Sequence, residues 1–113
     1  MTGRMRGMKH YFVYITCSDA EQAKRMALAL VEEGLAACAN IIPGMRSVYR
    51  WKGAVEQAEE AVLIAKTTED MAGPLTDRVR DLHSYECPCI EMLPVADGNP
   101  DFLRWIEDSV NKS

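Results

Sequence analysis

Tyr11-Phe-Val-Tyr-Ile-Thr16 is a short unbroken run of aromatic and β-branched residues, the pattern of a buried strand. Ser18-Asp19-Ala20-Glu21 then offers a capping box, doubled by Gln22 from Asp19. Ala23, Met26, Ala27, Leu30 and Val31 recur at helical spacing, and Gly34 stops them, so the spacing predicts an amphipathic helix over 19–33. From Leu35 to Trp51 the chain turns extended, with an interruption at Pro43-Gly44. Beyond it Met45, Ser47, Tyr49 and Trp51 share one face, and Arg46, Val48, Arg50 and Lys52 the other. Gly53 marks a tight reversal into a second extended run, Val55 to Lys66, whose Val62-Leu63-Ile64 centre reads as buried. Thr67-Thr68-Glu69-Asp70 opens a second helix with Met71, Leu75, Val79 and Leu82 on one side; Gly73-Pro74 either delays its start or kinks it. A fourth strand is expected over Cys87 to Val95, near an edge or bulge because of Pro88 and Pro94. Asn99-Pro100-Asp101 caps a last helix that turns Phe102, Leu103, Ile106 and Val110 inward.

The order β-α-β-β-α-β plus a terminal helix predicts an α+β, ferredoxin-like fold built from two split β-α-β units on an antiparallel sheet. A tail over 1–9 would precede a single domain over 10–113. One length does not suit an isolated subunit. Val55–Lys66 fully extended spans ~40 Å, about twice a typical strand, whereas a helix over 19–33 covers only ~22 Å. The overhanging half of the hairpin would expose Tyr49, Trp51 and two open edges, so an oligomer is expected.

Charge removes one class of partner. The chain has 113 residues and a net charge of −4; Arg4, Arg6 and Lys9 in the first ten residues leave −7 for the rest. A body that acidic is repelled by phosphate backbones, so no nucleic-acid partner is expected. No apolar run approaches the ~20 residues of a membrane helix, and no apolar region follows the basic tail, so a cytoplasmic protein with reduced Cys17, Cys38, Cys87 and Cys89 is expected.

Phosphate-binding glycine patterns, zinc-finger spacing and a nucleophile elbow are all missing. What remains is a soft-ligand set: four thiols, His83, seven methionines and nearby carboxylates. Strand periodicity would point Cys87 and Cys89 to one face, where both sulfurs could address one metal. Each thiol also reads as a small core hydrophobe, Cys17 and Cys38 above all. His83 ends a helix, where it serves either a site with Tyr85 and Glu86 or the C-terminal dipole. Lys66 is an anion-binding group or a snorkelling strand end. Tyr49 and Trp51 line a pocket or an interface.

Leu35-Ala-Ala-Cys-Ala-Asn-Ile-Ile-Pro-Gly44, Ser47-Val-Tyr-Arg-Trp-Lys-Gly53, Lys66-Thr-Thr68, His83-Ser-Tyr-Glu-Cys-Pro88, Leu93-Pro94 and Gly98-Asn-Pro-Asp-Phe-Leu-Arg-Trp-Ile106 resemble the CutA divalent-cation tolerance family. The similarity runs from about His10 to Val110. It implies a homotrimer of ferredoxin-like subunits, similar to the PII signalling proteins, with the long hairpin building the trimer. It implies a part in tolerance of copper and other divalent cations, bound weakly at clefts between subunits, and no enzymatic reaction. The family's cleft positions fall here on Cys38, Trp51, Glu60, Lys66, His83, Tyr85 and Glu86. Of these, Cys38, His83 and Glu86 are the expected metal ligands, with Trp51, Glu60, Lys66 and Tyr85 lining the cleft. A PII-like module for a small molecule or protein partner is the alternative, and an acid–base pair of His83 and Glu86 a third reading. Two departures bear on the ligands. Ile15 stands where some members carry a first-strand cysteine, with Cys17 two residues later. Cys89 stands where the family's motif has a carboxylate, which softens that position toward Cu(I) or Zn²⁺.

Overall fold

A computed structural model describes residues 8–110. Most of the expected tail over 1–9 lies outside the described residues. Lys9, however, is already anchored: its N–H donates to Glu69 Oε1 (2.6 Å), and its carbonyl accepts from the Glu69 N–H (2.9 Å). The elements follow as β1 (His10–Cys17), α1 (Ala20–Glu32), β2 (Cys38–Trp51), β3 (Ala54–Thr68), α2 (Glu69–Leu82), β4 (Ile90–Pro94) and α3 (Pro100–Ser109). All pairings in the sheet are antiparallel, in the order β2-β3-β1-β4, as the ferredoxin-like pattern requires.

Helix α1 starts where the second of the two capping options puts it. Asp19 accepts from the Gln22 N–H (2.8 Å), and Gln22 Oε1 accepts from the Ser18 N–H (2.8 Å). Its apolar stripe buries Ala23, Met26 and Leu30 but leaves Val31 exposed. Together with Leu75 and Val79 of α2 these residues cover Val13, Ile15 and Cys17 of β1 and Ala61, Leu63 and Ala65 of β3, all essentially without solvent contact. Each fully buried large aliphatic chain there stabilises the fold by roughly 1.5–3 kcal/mol. Helix α3 makes a smaller core with Ala37, Leu103, Ile106 and Val110, and is tied to β1 by His10 Nε2 at 2.7 Å from Glu107 Oε2. No helix among the described residues is long and apolar enough to cross a membrane.

The structure refines the sequence expectations at four places. Of the two options for α2 the late start is excluded: the helix begins at Glu69 and runs through Pro74, with Gly73 and Pro74 both facing solvent. Leu82 and Phe102 are more than a third exposed rather than inward. The interruption expected at Pro43-Gly44 is a register shift between Ile42 and Met45, past which β2 continues, and Gly44 takes the left-handed conformation there (φ +73°). The fourth strand begins at Ile90, so Cys87 and Cys89 lie in an irregular segment before it, not on a strand face. Pro88 has no N–H to give to a ladder, and the next position of the β1–β4 register is Thr16, whose carbonyl is taken by His83 Nε2 (2.7 Å).

The hairpin is as long as expected. Strands β2 and β3 meet in a two-residue turn at Lys52-Gly53, both with positive φ (51° and 84°), the geometry that matches the strands' twist. The molecule measures 53 × 27 × 22 Å. Val48, Tyr49, Trp51 and Val55 at the far end of the hairpin remain exposed.

Candidate functional site

Strand alternation divides β3 into two faces. Ala61, Leu63, Ala65 and Thr67 point to the helices, while Glu60, Val62, Ile64, Lys66 and Thr68 lie on the other face. On that second face, where the hairpin leaves the body, a groove of about 790 Å³ opens between three elements. Thr16 at the end of β1 forms its floor. Arg46–Tyr49, Trp51 and Glu60 from the hairpin form one wall, and Ser84–Cys87 with Cys89 the other.

Glu60 is the centre of this groove and is nearly buried. Its two carboxylate oxygens accept from the Ser47 hydroxyl and from the Tyr85 hydroxyl, the latter at 2.5 Å. Among the described residues no cation lies within ion-pair distance of it. Burial first, and then the Glu60 carboxylate, push the Tyr85 hydroxyl well above its ordinary range, so Tyr85 stays a protonated donor at neutral pH.

The Ser84–Cys89 wall is held from behind. Gln22 Nε2, at the start of α1, donates to Ser84 Oγ (2.8 Å). The His83 N–H caps α2 by donating to the Val79 carbonyl (2.8 Å). The His83 ring then reaches across to β1. Its Nδ1 accepts from the Tyr85 N–H (3.1 Å), so Nε2 carries the proton donated to the Thr16 carbonyl. The rings of His83 and Tyr85 lie 4.6 Å apart. As a metal ligand His83 would have to give up one of these two bonds.

The structure brings Trp51, Glu60, Tyr85 and Glu86 together on the groove. It does not bring Cys38, His83 and Glu86 together within one subunit. Cys38 pairs with Lys66, which pairs with Phe12, four residues along β1 from Thr16 and so roughly 13 Å away along the strand. Lys66 Nζ sits there over the rings of Phe12 (5.1 Å) and Phe102 (5.4 Å), away from the groove. Burial raises the Cys38 thiol, with Lys66 partly offsetting it. Among the described residues no three His, Cys, Asp or Glu side chains converge to hold a metal ion. Cys17 is sealed in the core, its thiol pushed up to about 11 by burial first and then by Glu60 and Asp19.

Sequence reasoning overlooked Thr16, Ser47 and Ser84. Ser47 shares a strand face with Tyr49 and Trp51, but its partner across the hairpin depends on the register shift at Pro43-Gly44, which alternation alone does not reveal.

The comparisons agree with this architecture. The family model of the CutA1 divalent ion tolerance protein matches residues 11–109. A divalent-cation tolerance protein CutA of Thermus thermophilus is 46% identical over 97 residues, 86% of this chain and 94% of that protein. A chloroplastic CutA protein of Arabidopsis thaliana is 41% identical over 97 residues; there the match spans 86% of this chain but only 53% of the relative. Among solved structures, the Thermus thermophilus divalent cation tolerance protein superposes with a TM-score of 0.88 at 44% identity, covering 90% of this chain and 99% of that one. The periplasmic divalent cation tolerance protein CutA of Archaeoglobus fulgidus gives 0.87 at 41% identity, with 90% and 99% covered. With nearly the whole described chain matched in sequence and in fold, the protein belongs to the CutA1 divalent ion tolerance family.

Proposed function

We propose that the protein serves tolerance of divalent cations, copper among them, by binding them weakly at the Glu60 groove, in a homotrimer whose subunits complete one another's clefts. One observation carries the reading: a nearly buried carboxylate, Glu60, faces an open groove with two hydroxyl donors and no cationic partner among the described residues. A divalent ion there would neutralise a charge whose desolvation is otherwise offset only by hydrogen bonds. Glu86 on the opposite wall is the second carboxylate within the same space. Ligands from a neighbouring subunit fit the lack of a three-ligand cluster in one chain. The apolar hairpin end, Val48, Tyr49, Trp51 and Val55, is the surface a neighbour would cover. Four free thiols suit a reducing cytoplasm.

The role is binding rather than catalysis. Tyr85 is held protonated, and both nitrogens of His83 are engaged inside the chain, so a His83–Glu86 acid–base pair has no free nitrogen to work with. A PII-like module taking a small organic ligand is the competing reading, favoured by Tyr49, Trp51 and Tyr85 around the groove. Lys66 lies outside the groove and so does not support an anionic ligand there.

Native mass spectrometry and calorimetry with Zn²⁺ and Cu²⁺, on the wild type and Glu60→Gln, test the proposal. Three subunits are expected, with affinity reduced about tenfold or more in Glu60→Gln. A single-subunit mass, or equal affinity in the variant, overturns it.

A further inference from the structure

We propose that Cys87 and Cys89 form a two-thiolate clip for a soft monovalent cation of the Cu(I) and Ag(I) class, on the rim of the Glu60 groove. The inference deepens the cation-binding reading by adding a second class of cation at the same groove, and its test is separable from that of Glu60.

The four thiols of the chain are placed very differently. Cys17 has no solvent contact, and Cys38 lies near the Lys66 end of the sheet. Cys87 is exposed and Cys89 half-buried, and both border the same groove, on its Ser84–Cys89 wall. Of the four thiols, these two alone line the groove. Two are enough for Cu(I) or Ag(I), which thiolates bind readily in two-coordinate form. Zn²⁺ asks for about four ligands, which this chain does not assemble.

The backbone favours an ion over a disulfide. Pro88 fixes its own φ, stiffening the short ring that a Cys87–Cys89 disulfide would close at an S–S distance of about 2.05 Å. An ion between the sulfurs holds them well beyond the disulfide distance and relieves that ring. Both ends of the segment are fixed. Tyr85 is bonded to Glu60 and His83, and Ile90 pairs with Ile15 of β1, so the thiols are confined to a short span with little freedom left to lose.

The surroundings act in opposite senses: nearby carboxylates attract the cation but oppose the negative charge that the thiolates bring. Cys89 Sγ lies 4.0 Å from Glu91 Oε1, and Glu60 stands in the same groove. A bis-thiolate complex of a monovalent ion keeps a net negative charge, which the Thr16 hydroxyl helps to offset by hydrogen bonding to Cys89. In each binding event two S–H protons leave and two sulfur–metal bonds form; no electron is transferred.

Ag(I) is the redox-inert probe, with Cu(I) measured anaerobically against a chromophoric Cu(I) chelator, on protein reduced beforehand and freed of reductant. One ion per subunit is expected. Cys87→Ser and Cys89→Ser should each lower affinity at least about 100-fold, while Cys38→Ser keeps it. Far-ultraviolet circular dichroism checks that each variant is folded. Wild-type affinity in Cys87→Ser, no Ag(I) retained by the wild type, or loss of Ag(I) in Cys38→Ser overturns the clip. Retained Ag(I) with Zn²⁺ binding unaffected by Glu60→Gln would refute the Glu60 reading and leave the clip standing.

Discussion

Strand β3 presents two opposite environments from one stretch of backbone. Toward the helices, Ala61, Leu63, Ala65 and Thr67 are sealed by α1 and α2 of the same chain. Toward the other side, Glu60 and Lys66 alternate with them in sequence, yet each keeps a polar end near solvent and finds specific partners: two hydroxyls for Glu60, two aromatic rings for Lys66. The helix side is completed by this chain and resists change because close packing has no slack. The other side is covered by α3 at its Lys66 end and holds the groove at its Glu60 end, where hydrogen bonds stand in place of packing and the chain's own elements leave it open. Stability is concentrated on one face and recognition on the other.

The contrast can be broken most strongly at Leu63. Leu63→Ala empties a fully buried site and is expected to cost about 2–5 kcal/mol in urea unfolding, while leaving the groove's side chains in place. The thiols sharpen it next. With a pKa pushed up to about 11, Cys17 is about one part in a thousand thiolate at pH 8. Iodoacetamide followed by peptide mass spectrometry should therefore modify exposed Cys87 readily and Cys17 only on unfolding. On the groove side, Tyr85→Phe removes one of two bonds to Glu60 and should cost only about 1 kcal/mol, since water can reach the vacated oxygen. The folded-state pKa of Tyr85 is raised, so this contribution is complete below about pH 10 and is lost as pH rises through the raised value. The wild type and Tyr85→Phe should therefore converge in stability in strong alkali.

The smallest effect belongs to the surface. Arg78 holds the exposed Glu33 carboxyl below its ordinary value through paired hydrogen bonds. Its contribution is thus present above the ordinary carboxylate range and is lost as pH falls through the lowered value. Arg78→Ala should lower the melting temperature slightly, and less so in high salt.

Much of this was legible in sequence where the signal is local. The Asp19–Gln22 cap and the stripe through Ala23, Met26 and Leu30 state α1 almost completely, because a helix is held by neighbours three and four residues apart. The overlong hairpin could be measured by counting residues. Cys87-Pro88-Cys89 alternates like a strand but is not one, because His83 occupies the Thr16 carbonyl, and that bond joins residues 67 positions apart. Glu60 and Tyr85 were marked through family motifs, yet their bond across 25 positions, with Ser47 as third partner, required the fold. Lys66 was placed with them by the same motifs, and the structure sets it against Phe12 and Phe102 instead.

The interruption at Pro43-Gly44 has a wider effect than its size suggests. Before it, Ile42 stands opposite Val62; after it, Met45 stands opposite Glu60, so β2 has advanced three residues while β3 has moved back two. The extra residue inverts the parity of the strand. Even-numbered positions of β2 face Val62 on one side of the shift, and odd-numbered positions face Glu60 on the other. Paired without that shift, Gly44 would stand opposite Glu60, and Arg46, Val48 and Arg50 would follow on its side in place of Ser47, Tyr49 and Trp51, so Glu60 would lose its serine. One frame-shifting residue thus determines which half of the hairpin's side chains the groove receives.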